Sequence, residues 1–252
     1  YQNCPFKNGN GYGDGRAITL GEVVIPSAAG AGGTRWELQL KGAGTTPFCR
    51  GGDGRAVLRS SIREFLVSEA MHHLGVSTTR ALSLMGSRSE TVSRPWYSNS
   101  REVPGVDDPR LAHLPMETRK QLLAQLGSQL QQPDVMISEQ CAITCRVATS
   151  FTRVGHIELH GRRCKKSDTP ENREALEKIV KHAIEREFWD DDPDGEIGTR
   201  ILRMLGASQQ RIAALTADWI RVGFCQGNFN SDNCLVAGRT MDYGPFGFME
   251  QF

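Results

Sequence analysis

No apolar run in this 252-residue chain reaches the roughly 18 residues that a membrane-spanning helix needs. Net charge is almost absent, at +1, so no bulk electrostatic force favours nucleic acid or an acidic membrane as main partner. Aromatic residues are sparse, at 7%. The hydrophobic fraction is still 38% and the charged fraction 23%, which supports a packed core and argues against wholesale disorder. The N-terminus has neither the pattern of a signal peptide nor that of an Arg-rich transit peptide. It opens at Tyr1-Gln2-Asn3 with no initiator Met, and a processed or partial chain is expected. The seven cysteines are odd in number and scattered, so they make no disulfide framework. Cys141 and Cys145 share one face of an expected strand, which is not zinc-knuckle spacing. Buried thiols in a reducing compartment are expected.

The periodicities give an order of elements. Residues 17–25 alternate loosely and are rich in β-branched side chains, so a strand is expected, followed by a Gly/Ala-rich connection over 27–33. Trp36, Leu38 and Leu40 alternate with Glu37, Gln39 and Lys41. The first set forms the hydrophobic side of a strand, and Lys41 ends it pointing the other way. Gly42-Ala43-Gly44 breaks the strand. A helix is expected over 61–74, with Ile62, Phe65, Leu66, Met71 and Leu74 near helical period and Gly75 as its stop. Residues 76–84 read as extended. Ser, Arg, Pro and Asp then dominate, before a Gln/Leu-rich helix over 117–130; this stretch is expected to be an insertion or lobe connector, mobile at its Pro-rich start.

A strand follows over 141–148, with Ile143, Cys145 and Val147 toward the core and Thr144 and Arg146 on the other face. Thr169 and Pro170 open a helix through Trp189 as N-cap and first-turn residues. Leu176, Ile179, Val180, Ala183 and Ile184 form its apolar stripe. A further helix is expected over 208–224. This order suits an α+β, two-lobed enzyme. It divides into an N-lobe-like nucleotide-binding region (1–85), an insertion or connector (86–134) and a remainder carrying a metal-binding hairpin (135–252).

That hairpin begins after Asn230-Ser231-Asp232-Asn233. Cys234-Leu235-Val236 and Thr240-Met241 read as short strands around the turn Ala237-Gly238-Arg239. Asn233 and Asp242 then flank its open end and offer an amide oxygen and a carboxylate to a hard cation such as Mg²⁺. Asp232 is left to accept a proton. Asn, Ser, Asp and Gly are also turn residues, so a plain loop is the alternative.

Gly-Asp-Gly-Arg occurs twice, at Gly13 to Arg16 and at Gly52 to Arg55. Glycines let backbone N–H groups approach phosphates, and Arg adds a planar charged fork; Asp-Gly is equally a tight-turn pair. Lys41 is either a phosphate-holding strand lysine or a solvated strand end. Glu64 is either its ion-pair partner or the N3 residue of a capping box begun by Ser61. Arg146 and Arg153 either close over an anion or sit on the surface. Asp190, Asp192, Asp194 and Gly195 imitate the start of an EF-hand, but Ile201 stands where the bidentate Glu belongs and Pro193 lies inside, so calcium is rejected in favour of a solvated loop. His72 and His73 lack a metal partner at helical spacing and are read as structural.

Several longer motifs carry a resemblance. Gly13-Asp14-Gly15-Arg16, the run from Leu40 to Phe48, the run from Gly52 to Phe65 and Asp242-Tyr243-Gly244-Pro245-Phe246-Gly247-Phe248 are similar to the selenoprotein O family, also called YdiU or UPF0061. The resemblance implies a protein-kinase-like fold that binds ATP in a flipped orientation and moves AMP, not phosphate, to Ser, Thr or Tyr hydroxyls of proteins. It implies Lys41 and Glu64 as an ion pair. Gly13, Gly15, Arg16, Lys41, Asp53, Gly54, Arg146, Arg153 and Asp242 would bind the nucleotide. Asp232 would be the proton acceptor, and Asn233 and Asp242 the Mg²⁺ ligands.

The implied cofactors are ATP and Mg²⁺. The implied partners are protein substrates with hydroxyl side chains, with no nucleic acid and no membrane span. The implied compartment is the mitochondrion for a eukaryotic member and the cytoplasm for a bacterial one. The chain departs from the family at Gln226, where His is expected, and it stops short of the usual C-terminal extent. Two other readings stand beside adenylyl transfer: a protein kinase, and a nucleotide-binding pseudokinase acting as scaffold or subunit. The adjacency of Asp232 and Asn233 opposes the first, because a standard kinase loop separates its Asp and Asn by four residues.

Overall fold

The computed structural model describes residues 14–26, 33–49, 51–96, 105–130, 135–188 and 195–250. Gly13, most of the 27–33 connection, and Asp190 through Asp194 lie outside the described residues. The chain forms two compact units, Tyr1–Ser87 with Cys141–Phe252, and Arg88–Gln140.

The architecture is α+β and kinase-like in its order. Strands β1 (Ala17–Pro26) and β2 (Gly33–Lys41) pair antiparallel with Ala17 opposite Lys41. Strand β3 (Ala56–Val57) runs directly into α1 (Leu58–His73), followed by β4 (Arg80–Trp96), α2 (Met116–Leu130) and β5 (Val135–Ala148). The sheet order is β1-β2-β5-β3, with β4 also on β5. Helices α3 (Val154–Lys166), α4 (Pro170–Glu187) and α5 (Ile197–Arg221) follow, then the short pair β6 (Phe224–Gln226) and β7 (Phe246–Phe248). Among the described residues no helix is long and apolar enough to cross a membrane.

The sheet is inverted relative to its hydrophobic pattern. Gln39 and Lys41 of β2 and Thr144 and Arg146 of β5 are buried, whereas Trp36, Leu38, Ile143 and Val147 are only partly so. Trp36, Leu38 and Val147 line an open apolar cavity of about 370 Å³ with Val23, Ile25 and Leu82. The expected core face of β5 is corrected accordingly at Ile143 and Val147, whereas Cys141 and Cys145 are buried as expected. The polar face can turn inward because its charges meet carboxylates there; without such partners, desolvation would forbid the arrangement.

Helix α1 shows the same override. It begins at Leu58, and Val57 stands at its N-cap without a side-chain cap bond. Ser61 lies inside the helix, where its Oγ donates to Val57 O at 3.0 Å. The capping-box reading of Ser61 and Glu64 is therefore overturned. Ile62, Leu66 and Leu74 of the expected apolar stripe are exposed, and the buried face carries Ser61, Glu64, Val67, Ser68 and Met71. The pairing of Glu64 fixes the rotation of the helix. Gly75, at φ +77°, stops it as expected.

The later helices are mixed in legibility. For α4, Thr169 caps the Asn172 amide at 3.3 Å, and Val180, Ala183 and Ile184 are buried, as expected. They pack with Phe188, Met204 and Val236. Helix α5 starts earlier than its apolar pattern indicates and contains Ile201. Helix α3 was not foreseen, because it is rich in His, Arg and Lys and buries only Gly155 and Leu159. At the start of the expected connector, β4 continues as strand through Trp96.

Candidate active site

Lys41 ends β2 with 5% of its surface exposed, so the solvated reading does not hold. Its Nζ lies 2.7 Å from Glu64 Oε2 and 3.3 Å from Asp242 Oδ1. The strand, α1 and the late Asp-bearing loop thus meet at one ammonium. Burial works against ionised Asp242, but Lys41 and Arg146, with the Gly244 amide, outweigh it and lower its pKa below the ordinary aspartate value. Arg63, the neighbour of Glu64 on α1, donates to the carbonyls of Gly244 and Phe246 at 3.1 and 2.5 Å, with its guanidinium over the Phe246 ring. Gln226 Nε2 donates to Asp242 O at 2.8 Å, so the residue that departs from the family pattern still fixes this loop.

A second cluster adjoins the first. Arg146 and Arg153 are buried, at 2% and 3% exposure, and neither is a surface arginine. Their Nη2 groups donate to the same atom, Asp14 Oδ2, at 3.3 and 3.2 Å. Arg146 Nη1 also donates to Met241 O at 3.3 Å and lies 3.6 Å from Glu64 Oε1. Burial pushes the Asp14 pKa up, but Arg146, Lys41 and Arg153 more than reverse this and hold the carboxyl far below the usual aspartate range. The backbone N–H of Arg153 donates to His156 Nδ1 at 3.3 Å at the start of α3. Burial, then the Arg153 charge, pushes His156 down to about 4, so the imidazole is neutral near pH 7 and can accept this bond.

The expected hairpin is reduced to a single antiparallel bridge between Cys234 and Thr240, with Gly238 donating to Leu235 O across the turn at 3.0 Å. Its flanks are claimed by other segments. Val236 donates to Thr152 O, Thr240 donates to Ser77 O, and Arg153 bridges Leu235. These ties carry the short 3₁₀ turn Ser231–Asn233 to the first turn of α3. There a methyl on Gly155 would fall 2.6 Å from Asp232 Oδ1, so glycine makes room for that carboxylate. Asn233 Nδ2 donates to Asn228 O at 2.9 Å, which leaves the amide oxygen as the end suited to a cation.

A family profile described as "Protein adenylyltransferase SelO" matches residues 1–103 and 106–252. The chain belongs to the SelO family. It is 43% identical over 241 residues to a protein named protein nucleotidyltransferase YdiU from Xanthomonas campestris pv. campestris (strain 8004), covering 95% of this chain and 37% of that protein. Proteins of the same name are similar in Aromatoleum aromaticum, at 41% over 240 residues and 37% of its length, and in Rhodopirellula baltica, at 41% over 243 residues and 36% of its length. The chain therefore spans a little over a third of these SelO-family relatives.

Among the residues singled out from the SelO resemblance, the structure brings Lys41, Glu64, Asp242, Arg146 and Arg153 together. Arg16 lines a cavity of about 340 Å³ with Lys41, Glu64, Arg63 and Gly244. Gly15 packs so closely that a Cβ would lie 2.8 Å from Cys49 Cα. Gly54, at φ +67°, packs against Gly44 O, while Asp53 is exposed. Sequence reasoning missed Asp14 and His156. Asp14 stood inside a motif already noted, but nothing local marks it as the partner of arginines more than a hundred residues away.

The donors suit the ligands that SelO membership implies. Asp242 and Asn233 offer hard oxygens, and Lys41 and the arginines offer charge to phosphates. Among the described residues no group of three or more His, Cys, Asp or Glu could hold a metal unaided.

Proposed function

We propose that the chain carries the nucleotide site of a protein adenylyltransferase, which moves AMP from MgATP to Ser, Thr or Tyr hydroxyls of protein substrates. The observation that carries this reading is Lys41 held between Glu64 and Asp242 beside the buried Arg146–Asp14–Arg153 cluster. In this reading Lys41, Arg16, Arg146 and Arg153 hold the phosphates, and the Gly15 and Gly54 turns bring backbone close to them. Asp53 of the second Gly-Asp-Gly-Arg motif is assigned to the nucleotide on the family resemblance, as is Gly13, which lies outside the described residues. Asn233 and Asp242 would hold Mg²⁺, which supplies charge neutralisation on the triphosphate when bound.

Asp232 takes the proton of the acceptor hydroxyl, whose oxygen bonds to the α-phosphorus as pyrophosphate leaves. Glu64 orients Lys41. The placement of Asp232 and Asn233 in one 3₁₀ turn favours this over a standard kinase loop.

Incubating the protein with MgATP and candidate substrates, then measuring intact mass, tests the reading. An AMP-sized adduct on the acceptor that disappears with Asp242→Ala is expected. A phosphate-sized adduct would make the protein a kinase, and no adduct despite nucleotide binding would make it a pseudokinase scaffold.

A further inference from the structure

We infer that Asp14 is an internal competitor for the phosphate position, a built-in carboxylate that a nucleotide phosphate or pyrophosphate must displace from Arg146 and Arg153. This rests on the nucleotide site proposed above. The Nη2 groups of both arginines converge on Asp14 Oδ2. A phosphate oxygen that uses those same donors competes for them with a carboxylate oxygen of like charge. Planar guanidinium forks recognise carboxylate and phosphate by the same geometry.

Charge points the same way. Lys41, Arg146 and Arg153 are matched one for one by Glu64, Asp242 and Asp14. Asp14 thus cancels the charge of one of the two arginines within this set, while Arg16, which lines the cavity with Lys41, lies outside the pairing. Withdrawal of Asp14 exposes one positive charge, at the two arginines.

Glu64 and Asp242 are tied to elements of the core, but Asp14 sits in a loop. Its carbonyl accepts Thr46 Oγ1 at 3.0 Å, and its Oδ1 accepts the Arg16 amide at 3.1 Å. Rotation of one side chain, at the expense of the Arg16 amide bond, therefore suffices to withdraw Oδ2 from both arginines with the Thr46 tie intact, while Gln39 Oε1 and Met241 O keep Arg146 in place. Asp14 thereby sets a threshold: a ligand must bring more negative charge than a carboxylate, as a di- or triphosphate does, to take the position. Monoanionic competitors are rejected.

Calorimetric titration with inorganic pyrophosphate, without metal, tests this on four proteins: wild type, Asp14→Asn, Asp14→Ser and Asp14→Glu. The Ser variant keeps an oxygen for the Arg16 amide and serves if the Asn variant does not fold. The neutral variants are expected to bind pyrophosphate on the order of tenfold more tightly, the value of one charge-assisted hydrogen bond no longer contested. The Glu variant is expected to stay near wild type. Equal or weaker binding by Asn and Ser, with wild type binding normally, would overturn the inference and make Asp14 an orienting partner of the arginines. Failure of all four to bind either pyrophosphate or ATP would overturn the nucleotide site itself.

Discussion

The two Gly-Asp-Gly-Arg loops share a local geometry and differ in almost everything else. In each, the Asp carboxylate accepts the amide two residues on, from Arg16 at 3.1 Å in the first and from Arg55 at 2.9 Å in the second. Such Asx turns follow from the short side chain alone. Both loops also grip the glycine-rich stretch after Lys41. Gly42 donates to Arg16 O at 2.8 Å, Gly44 donates to Gly54 O at 3.3 Å, and Ala43 bridges Arg55. The repeat is thus a pair of clasps around one strand end.

The difference lies in what each carboxylate meets. Asp14 faces two buried arginines brought by β5 and the start of α3, whereas Asp53 is exposed. One sequence element is a turn in both places and part of a charged centre in only one.

The largest expected effect comes from removing the partner that sets the first loop apart. Arg146→Ala strips a counter-charge from Asp14 and Glu64 together and is expected to lower unfolding free energy by about 3–5 kcal/mol. Arg55→Ala in the second loop is expected to cost about 1 kcal/mol or less. Urea unfolding of both variants measures the gap, and similar losses would erase the distinction.

Next come the glycines. Gly54→Ala meets a positive φ and places a methyl 2.0 Å from Gly44 O, and a loss of about 3 kcal/mol is expected from left-handed strain plus overpacking. Gly15→Ala meets the backbone of Cys49 at 2.8 Å and Phe48 O at 3.1 Å without a positive φ and is expected to cost about 1–2 kcal/mol. Thermal melts that rank Gly15→Ala as the more damaging would contradict this account of the two clasps.

The most localised effect is a pH dependence confined to the scaffold of the first loop. His156 titrates near 4 in the folded chain against an ordinary value of 6.5, so between these values the unfolded state binds more protons. Its contribution is fully present above pH 6.5 and fades as pH falls toward 4, with a loss of about 3 kcal/mol by linkage. His156→Gln is expected to flatten that slope in unfolding curves taken from pH 7 to 4, and an unchanged slope would remove His156 from the account.

Legibility followed the range of the interactions. Helix α4 was readable because its cap and its apolar stripe are local facts, carried by Thr169, Pro170, Val180 and Ile184. Helix α1 was readable in existence but not in start or facing, because the Lys41 ammonium across the site, and not its apolar residues, decides which side turns in. Helix α3 escaped notice because its stability rests on its neighbours and not on a stripe of its own. In the candidate site, the residue types and the family motifs were visible, but their assembly was not. The hairpin proved to be one bridge held by Thr152 and Ser77, so longer-range hydrogen bonds replaced the ladder that alternation implied.

By itself the sequence determined the tight turns, the strand alternation, the Thr169 cap of α4 and the Gly75 stop of α1, since each is set by the steric and hydrogen-bonding character of residues a few positions apart. It also determined family membership, through motifs long enough to be distinctive. Only the tertiary structure decided that the polar face of the sheet is the inner one, and that Asp14 and not Asp53 holds Arg146 and Arg153. The physical reason is that a charge can be buried only where opposite charges converge on it. Here the converging groups come from β2, α1, β5, the start of α3 and the Asp242 loop, which are distant in the chain and meet only in the fold.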